Sequence, residues 1–345
     1  MKRELIIGMC LLGLAFFTAC SKEDEDLTPS FADQEWYKLE DSDDAVDHAF
    51  FELFQTYGIP VYYNDTIGWE DRGLSREGEK MIHYEVMDIA YWITSRTSNP
   101  ALYSLNKKYL ENGDKSQLLN AAEFLGEYVF PYLKKSRYPM SFLLVDSIVN
   151  NHSDVRARHV FNSYHAMTTT LIGGVDRIGE MSEREKRLLA GYVMAELYVY
   201  DIKNNEAYMN LFTEFFDSSV GATGQSLYGL DRGTTSTSIF SSSYLLTAKE
   251  WLKYGFLRYN PTKAIGLLSE RVGNKVETNN DLSTMDTKLI GYSFPLRDQD
   301  LYEYVARVLA GDDEAFESEY ADYPKILEKY NLMKTLLPLY LEQID

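Results

Sequence analysis

SEREKRLLAGYVMAELYVYDIKNN, residues 182–205, is the stretch on which the reading of this chain turns. Leu188, Leu189, Tyr192, Val193, Glu196, Leu197 and Tyr200 recur at the three- and four-residue spacing of one helical face. Glu183 and Glu185 fall in the first turn, where carboxylates favour the positive end of the helix dipole. Residues 201–205 close the helix.

Upstream, Asp43 or Asp44 is placed to cap a second amphipathic helix carrying Val46, Ala49, Phe50, Leu53, Phe54 and Tyr57, which Gly58 ends. The β-branched and aromatic run 59–63 (IPVYY) predicts a strand, and 64–73 a turn-rich loop. A short helix over 106–111 and a long one over 115–135 follow, the latter kinked or stopped by Pro131. Residues 140–149 and 157–172 read as paired strands with a turn at Asn150, Asn151 and Asp154. Downstream, 218–243 is rich in Gly, Ser and Thr and reads as irregular. Helices are predicted over 244–259, 301–310, 323–330 and 332–343. No repeat period is visible.

The amino terminus sets the address. Lys2 and Arg3 precede an unbroken apolar run over 5–19, the layout of a secretory signal and too short for a bilayer span of about 20 residues. Phe17, Thr18, Ala19 and Cys20 resemble a lipobox, in which the chain is cut before the cysteine and its thiol is acylated, palmitate being the expected lipid. Ser21, Lys22 and the acidic run Glu23, Asp24, Glu25, Asp26 resemble the export tag of Bacteroidota-type lipoproteins displayed on the outer face of the outer membrane. They also suit a solvated tether over 20–37.

Composition excludes several chemistries. The only other cysteine, Cys10, lies in the signal, so the mature chain has no thiol free for a disulfide, a zinc ligand or a nucleophile. The formal charge is −19, and −20 once Lys2, Arg3 and Glu4 leave with the signal, a field that repels nucleic acid. The 27 tyrosines suit an aromatic core or a sugar-stacking surface equally. There is no G-x-S-x-G elbow, no phosphate-binding GKS or GKT loop and no H-E-x-x-H. His159 and His165, six residues apart, would share a strand face but stand about 20 Å apart, too far for one ion. Asp41, Asp43 and Asp44 open like a calcium loop, yet Ala45 and Val46 fall where a ligand and a glycine are needed.

Three pieces together resemble the substrate import-associated zinc metallohydrolase lipoproteins of Bacteroidota, metallopeptidase-like proteins of TonB-dependent uptake systems. GYVMAELYVY (191–200) stands where that family has its H-E-x-x-H helix, here reading A-E-L-Y-V. KLIGYSFPLRDQDLYEYV (288–305) resembles the family's glycine, serine, tyrosine and acidic segment, with Asp300 and Glu303 at the acidic places. Residues 326–345 resemble its closing helix, and GIPVYYN (58–64) its first strand. The resemblance implies an α+β protein. A zincin-like lobe over 38–217, with a small mixed sheet and an active-site-type helix, would precede a mostly helical lobe over 218–345.

The departure decides the functional expectation. The two histidine positions are Ala195 and Val199, which offer no lone pair, so only the glutamate, Glu196, survives. Losing two of four ligands from a site worth about 10–16 kcal/mol removes roughly 5–8 kcal/mol, about four to six decades of affinity. No metal or other cofactor is therefore expected, and Glu196, Ala195, Val199 and Glu303 are read as vestigial. The expected protein is a non-catalytic surface lipoprotein anchored through Cys20, an accessory of a TonB-dependent porin whose concave face takes a glycan or peptide. The alternative is an active hydrolase, a peptidase or glycosidase. It would use zinc or an altered metal site drawing on His159 or His165, or a carboxylate pair such as Glu196 and Glu303 spaced about 5 to 9.5 Å apart.

Overall fold

The computed structural model describes residues 35–87, 101–105, 115–150, 163–166, 169–221, 224–230, 246–257, 289–291 and 294–345. Cys20, the signal, nearly all of the tether, His159, the 106–111 helix and most of the 150–154 turn lie outside them. The protein is mixed α/β with more helix than strand. Leu39–Asp345 forms one compact unit.

Helix α1 (Ala45–Tyr57) begins as its sequence dictates. The Asp44 carboxylate accepts from the Val46 and Asp47 amides, and Gly58, at φ 75°, closes the helix by donating to the Phe54 carbonyl. Buried β1 (Val61–Tyr62) runs parallel to β5 (Ser141–Leu144), with Val61 opposite Phe142. The next segment corrects the sequence reading: 66–74 is a strand, β2 (Thr66–Leu74), paired antiparallel with β3 (Lys80–Val86). Gly68 and Gly73 look like loop residues, but the ladder's register shifts lie between Thr66 and Gly68 and between Asp71 and Leu74, and Gly73 has φ 83°.

Helix α2 (Ser116–Phe124) passes into a wider π turn over Leu125–Val129 and stops, so 115–135 is not one helix. Pro131, lacking an N–H, stands just past that end. The run 140–149 also divides. Its first half is β5 and its second is β6 (Ser147–Asn150), which pairs antiparallel with β4 (Ala101–Ser104). The other run holds β7 (Ser163–Ala166) and β8 (Thr169–Ile172), so the expected pairing is made, but as parallel β5 on β8, completing the sheet order β1-β5-β8-β7. The inner strands β5 and β8 are buried throughout, as parallel strands covered on both faces are.

Helix α3 (Glu183–Asn204) opens with a capping box in which Ser182 and Glu185 satisfy each other's backbone amides. Short α4 (Glu206–Leu211) and α5 (Thr213–Asp217) follow it. Residues 246–247, expected to be helical, form β9 (Leu246–Thr247) against β10 (Leu289–Gly291), and α6 (Ala248–Lys253) begins after them. Then come α7 (Arg297–Ala310), α8 (Asp313–Glu319) and α9 (Pro324–Gln343). Helix α9 is a single rod where two helices were expected. Ile326, Tyr330, Met333, Leu337 and Tyr340 keep one buried stripe running past Asn331.

One apolar core joins these pieces, drawing on α1, α2, α3, β5, α7 and α9, so residues on both sides of 217 share it. Within it α3 and α7 pack closely against one another. A Cβ on Gly191 would collide with the Ala306 carbonyl oxygen, so only glycine lets the two helices approach this closely.

Candidate functional site

Gly191, Ala195 and Val199 stand one turn apart on α3, in a single row. Gly191 presses on α7, Ala195 is fully buried and Val199 is 5% exposed. Ala195 and Val199, the positions at which the resemblance expects histidines, therefore belong to the apolar core. Glu196 is half-buried and has interactions of its own.

Glu303 stands on α7, facing α3. It is 2% exposed and accepts a hydrogen bond from the Tyr192 hydroxyl at 2.9 Å. The Tyr192 ring stacks on Tyr302 at 5.5 Å, and the Tyr302 hydroxyl donates back to the Tyr192 carbonyl at 3.1 Å. One turn on, Arg307 is also buried. Burial opposes its charge, but Tyr192, Tyr320, Glu303 and Glu319 nearby hold the guanidinium protonated more firmly than usual. Glu303 thus belongs to a buried polar seam between helices, a placement that the Glu-to-Arg spacing of four residues also supports.

The most unusual chemistry lies at the other end of α7. Lys329 of α9 is completely buried, and Asp300, in the first turn of α7, is 1% exposed. The Lys329 ammonium donates to Asp300 Oδ2, to Ser219 Oγ at 2.8 Å and to the Tyr228 hydroxyl at 3.2 Å. Tyr228 donates in turn to the same Asp300 oxygen at 2.6 Å. The amine sits over the rings of Phe215, Phe256, Tyr304 and Tyr228, its distances to their centroids running from 4.4 to 5.6 Å. Gly255, at φ 80°, makes the room, because a Cβ there would fall 2.8 Å from Lys329 Cδ.

Electrostatics follow from that dryness. Burial pushes the Lys329 ammonium down to about 8, although Asp300 pulls the other way. Burial likewise raises Asp300 above the ordinary carboxylate range despite Lys329 and Tyr228, and lifts Tyr228 well above 10. Asp300 Oδ1 is buried with no hydrogen-bond partner among the described residues.

Of this cluster only Asp300 was singled out from sequence. Lys329 carried a signal, being a charge on the apolar stripe Ile326, Tyr330, Met333 and Leu337. Ser219 and Tyr228 carried none, since they sit in a segment with no period.

Elsewhere, the β2–β3 hairpin turns Trp69 and Tyr84, directly opposite one another, into solvent, with Ile82 and Val86 exposed on the same face. His165 lies in β7 opposite Thr170. Among the described residues no three His, Cys, Asp or Glu side chains gather as a metal site. Compared with protein-family models, curated proteins and solved structures, the chain matches none.

Proposed function

We propose that this protein is a lipoprotein of the outer membrane surface, acylated at Cys20. Its zincin-like fold has lost its zinc chemistry and serves as a non-catalytic binding or scaffolding component beside a TonB-dependent nutrient importer. The layout before Cys20 and the acidic run after it support the anchor. The family resemblance of 191–200, 288–305 and 326–345 supports the association with uptake.

The single observation that carries the loss of chemistry is the burial of Ala195 and Val199. A metal-gripping helix must turn its ligand face toward a cavity that substrate and water can enter. Here that row of α3 is core packing that begins at the Gly191 contact with α7. Glu303, the other carboxylate that could pair with Glu196, is likewise held inside a helix interface. For a ligand, the exposed Trp69 and Tyr84 rings offer a surface on which a glycan could stack.

Two measurements test this reading. Cys20→Ala is expected to move the protein from the membrane to the soluble fraction, and unchanged membrane association overturns the anchor. Elemental mass spectrometry of the purified protein is expected to find zinc far below one ion per chain. A stoichiometric ion overturns the pseudoenzyme assignment.

A further inference from the structure

The Lys329–Asp300 contact is more than an ion pair awaiting a role. We propose that Lys329 Nζ and Asp300 Cγ become joined by an amide bond, an autocatalytic isopeptide cross-link that ties α9 to α7. The contact meets the requirements of that condensation. The two groups touch, both are shut from solvent, and aromatic rings wall the amine. In so dry a site separated charges are costly, and proton transfer from ammonium to carboxylate yields the neutral amine and neutral acid that react. Burial already moves both groups in that direction, Lys329 downward and Asp300 upward.

The step balances without any co-reactant. The lone pair of neutral Lys329 Nζ attacks Cγ of protonated Asp300, a C–N bond forms, and the carbonyl electron pair moves onto oxygen. One amine proton passes to the Asp300 hydroxyl, the C–O bond breaks, water leaves and the carbonyl reforms. Tyr228 is placed to relay that proton, because its hydroxyl accepts from Lys329 and donates to Asp300 Oδ2. Ser219 holds the amine, and its oxygen can accept the one N–H that the amide keeps. Oδ1, buried and without a hydrogen-bond partner among the described residues, would stay as the amide oxygen, sparing the interior an unsatisfied carboxylate.

The cross-link would close the segment between positions 300 and 329 in a chain that has no cysteine after Cys20 and so cannot use a disulfide. Unlike a disulfide, it would survive reduction.

The full-length protein is denatured, digested with protease and analysed by tandem mass spectrometry. The expected product is a branched peptide containing both Asp300 and Lys329, lighter by one water than its two parts together. Asp300→Asn is expected to give the same branched product with ammonia as the leaving group. Lys329→Met gives only linear peptides, and Tyr228→Phe accumulates the branched form more slowly. Recovery of the wild-type peptides around both residues in linear form, at full mass, overturns the proposal. That result needs no variant to fold. A water loss that maps to any other pair of residues overturns it equally.

Discussion

Two lysine–aspartate contacts in this protein have opposite electrostatic outcomes, and solvent is the difference. Lys115, with 22% of its side chain exposed, reaches Asp47 at 3.0 Å and Asp44 at 3.3 Å, beside the cap of α1. Partial burial works against its charge, but the bonds to Tyr63 and Asp47 outweigh that, and its ammonium is held more firmly than a free lysine's. Lys329 meets Asp300 in full burial, and there desolvation wins and its ammonium is weakened. Where water remains, an aspartate neighbour secures a lysine's proton; where it is gone, the same neighbour becomes the place for that proton to go.

The largest expected effect exploits this contrast. Lys329→Met removes the proposed cross-link and leaves Asp300 buried with Tyr228 alone, and breaking a buried pair from one side by itself costs about 3–5 kcal/mol. Lys115→Met should cost about 1 kcal/mol or less, as exposed pairs do. Urea midpoints of the two variants against wild type measure the gap, and equal midpoints would break the comparison. Replacing both members, as Lys329→Met with Asp300→Leu, should recover part of the loss, because no lone charge is then left inside.

A second contrast lies along α3, between a row that looks like a lost active site and the packing it performs. Placing histidines at these positions with Ala195→His and Val199→His should destabilise the protein by about 1–3 kcal/mol per site, through overpacking of a filled core. The double variant should take up no stoichiometric zinc. A folded variant holding one zinc per chain would show that an open cleft does face this row.

How far these features could be read from sequence follows from their range. The caps of α1 and α3 depend on residues two or three positions apart, and Asp44 and the Ser182–Glu185 box are visible in the letters. The β2–β3 hairpin was obscured because its irregular registers need glycines that also look like loop. The parallel run of β1, β5 and β8 was out of reach, since no local pattern states which distant strand lies beside which. The positions read as vestigial are located only through the resemblance, and the row they share on α3 packs where Gly191 meets Ala306 more than a hundred residues away. The Lys329 cluster was half legible: a lysine on an apolar stripe and an aspartate in the first turn of α7 are each anomalies. That both point to one spot, with Ser219 and Tyr228 between them, is decided by tertiary packing alone.

The smallest expected effect is a pH profile, and it separates an ion pair from a cross-link. An unlinked Lys329 would have a folded value of about 8 against 10.5 in the unfolded chain. Between those values the unfolded chain binds more protons, so stability would rise with pH through that window. An unlinked Asp300, raised in the fold, acts in the opposite sense and at acid pH: the folded chain keeps its proton longer, and stability falls as pH climbs past 3.8. The amide removes both titrations. The groups facing the amine, Lys325 and Glu328 from its own helix, Asp300 and Tyr304 from α7, and Tyr228, remain in a Lys329→Met control apart from the amine itself. The stability difference between wild type and that control should therefore stay flat as pH rises from about 8 toward 10. A difference that grows with pH would show the two charges still separate in the core.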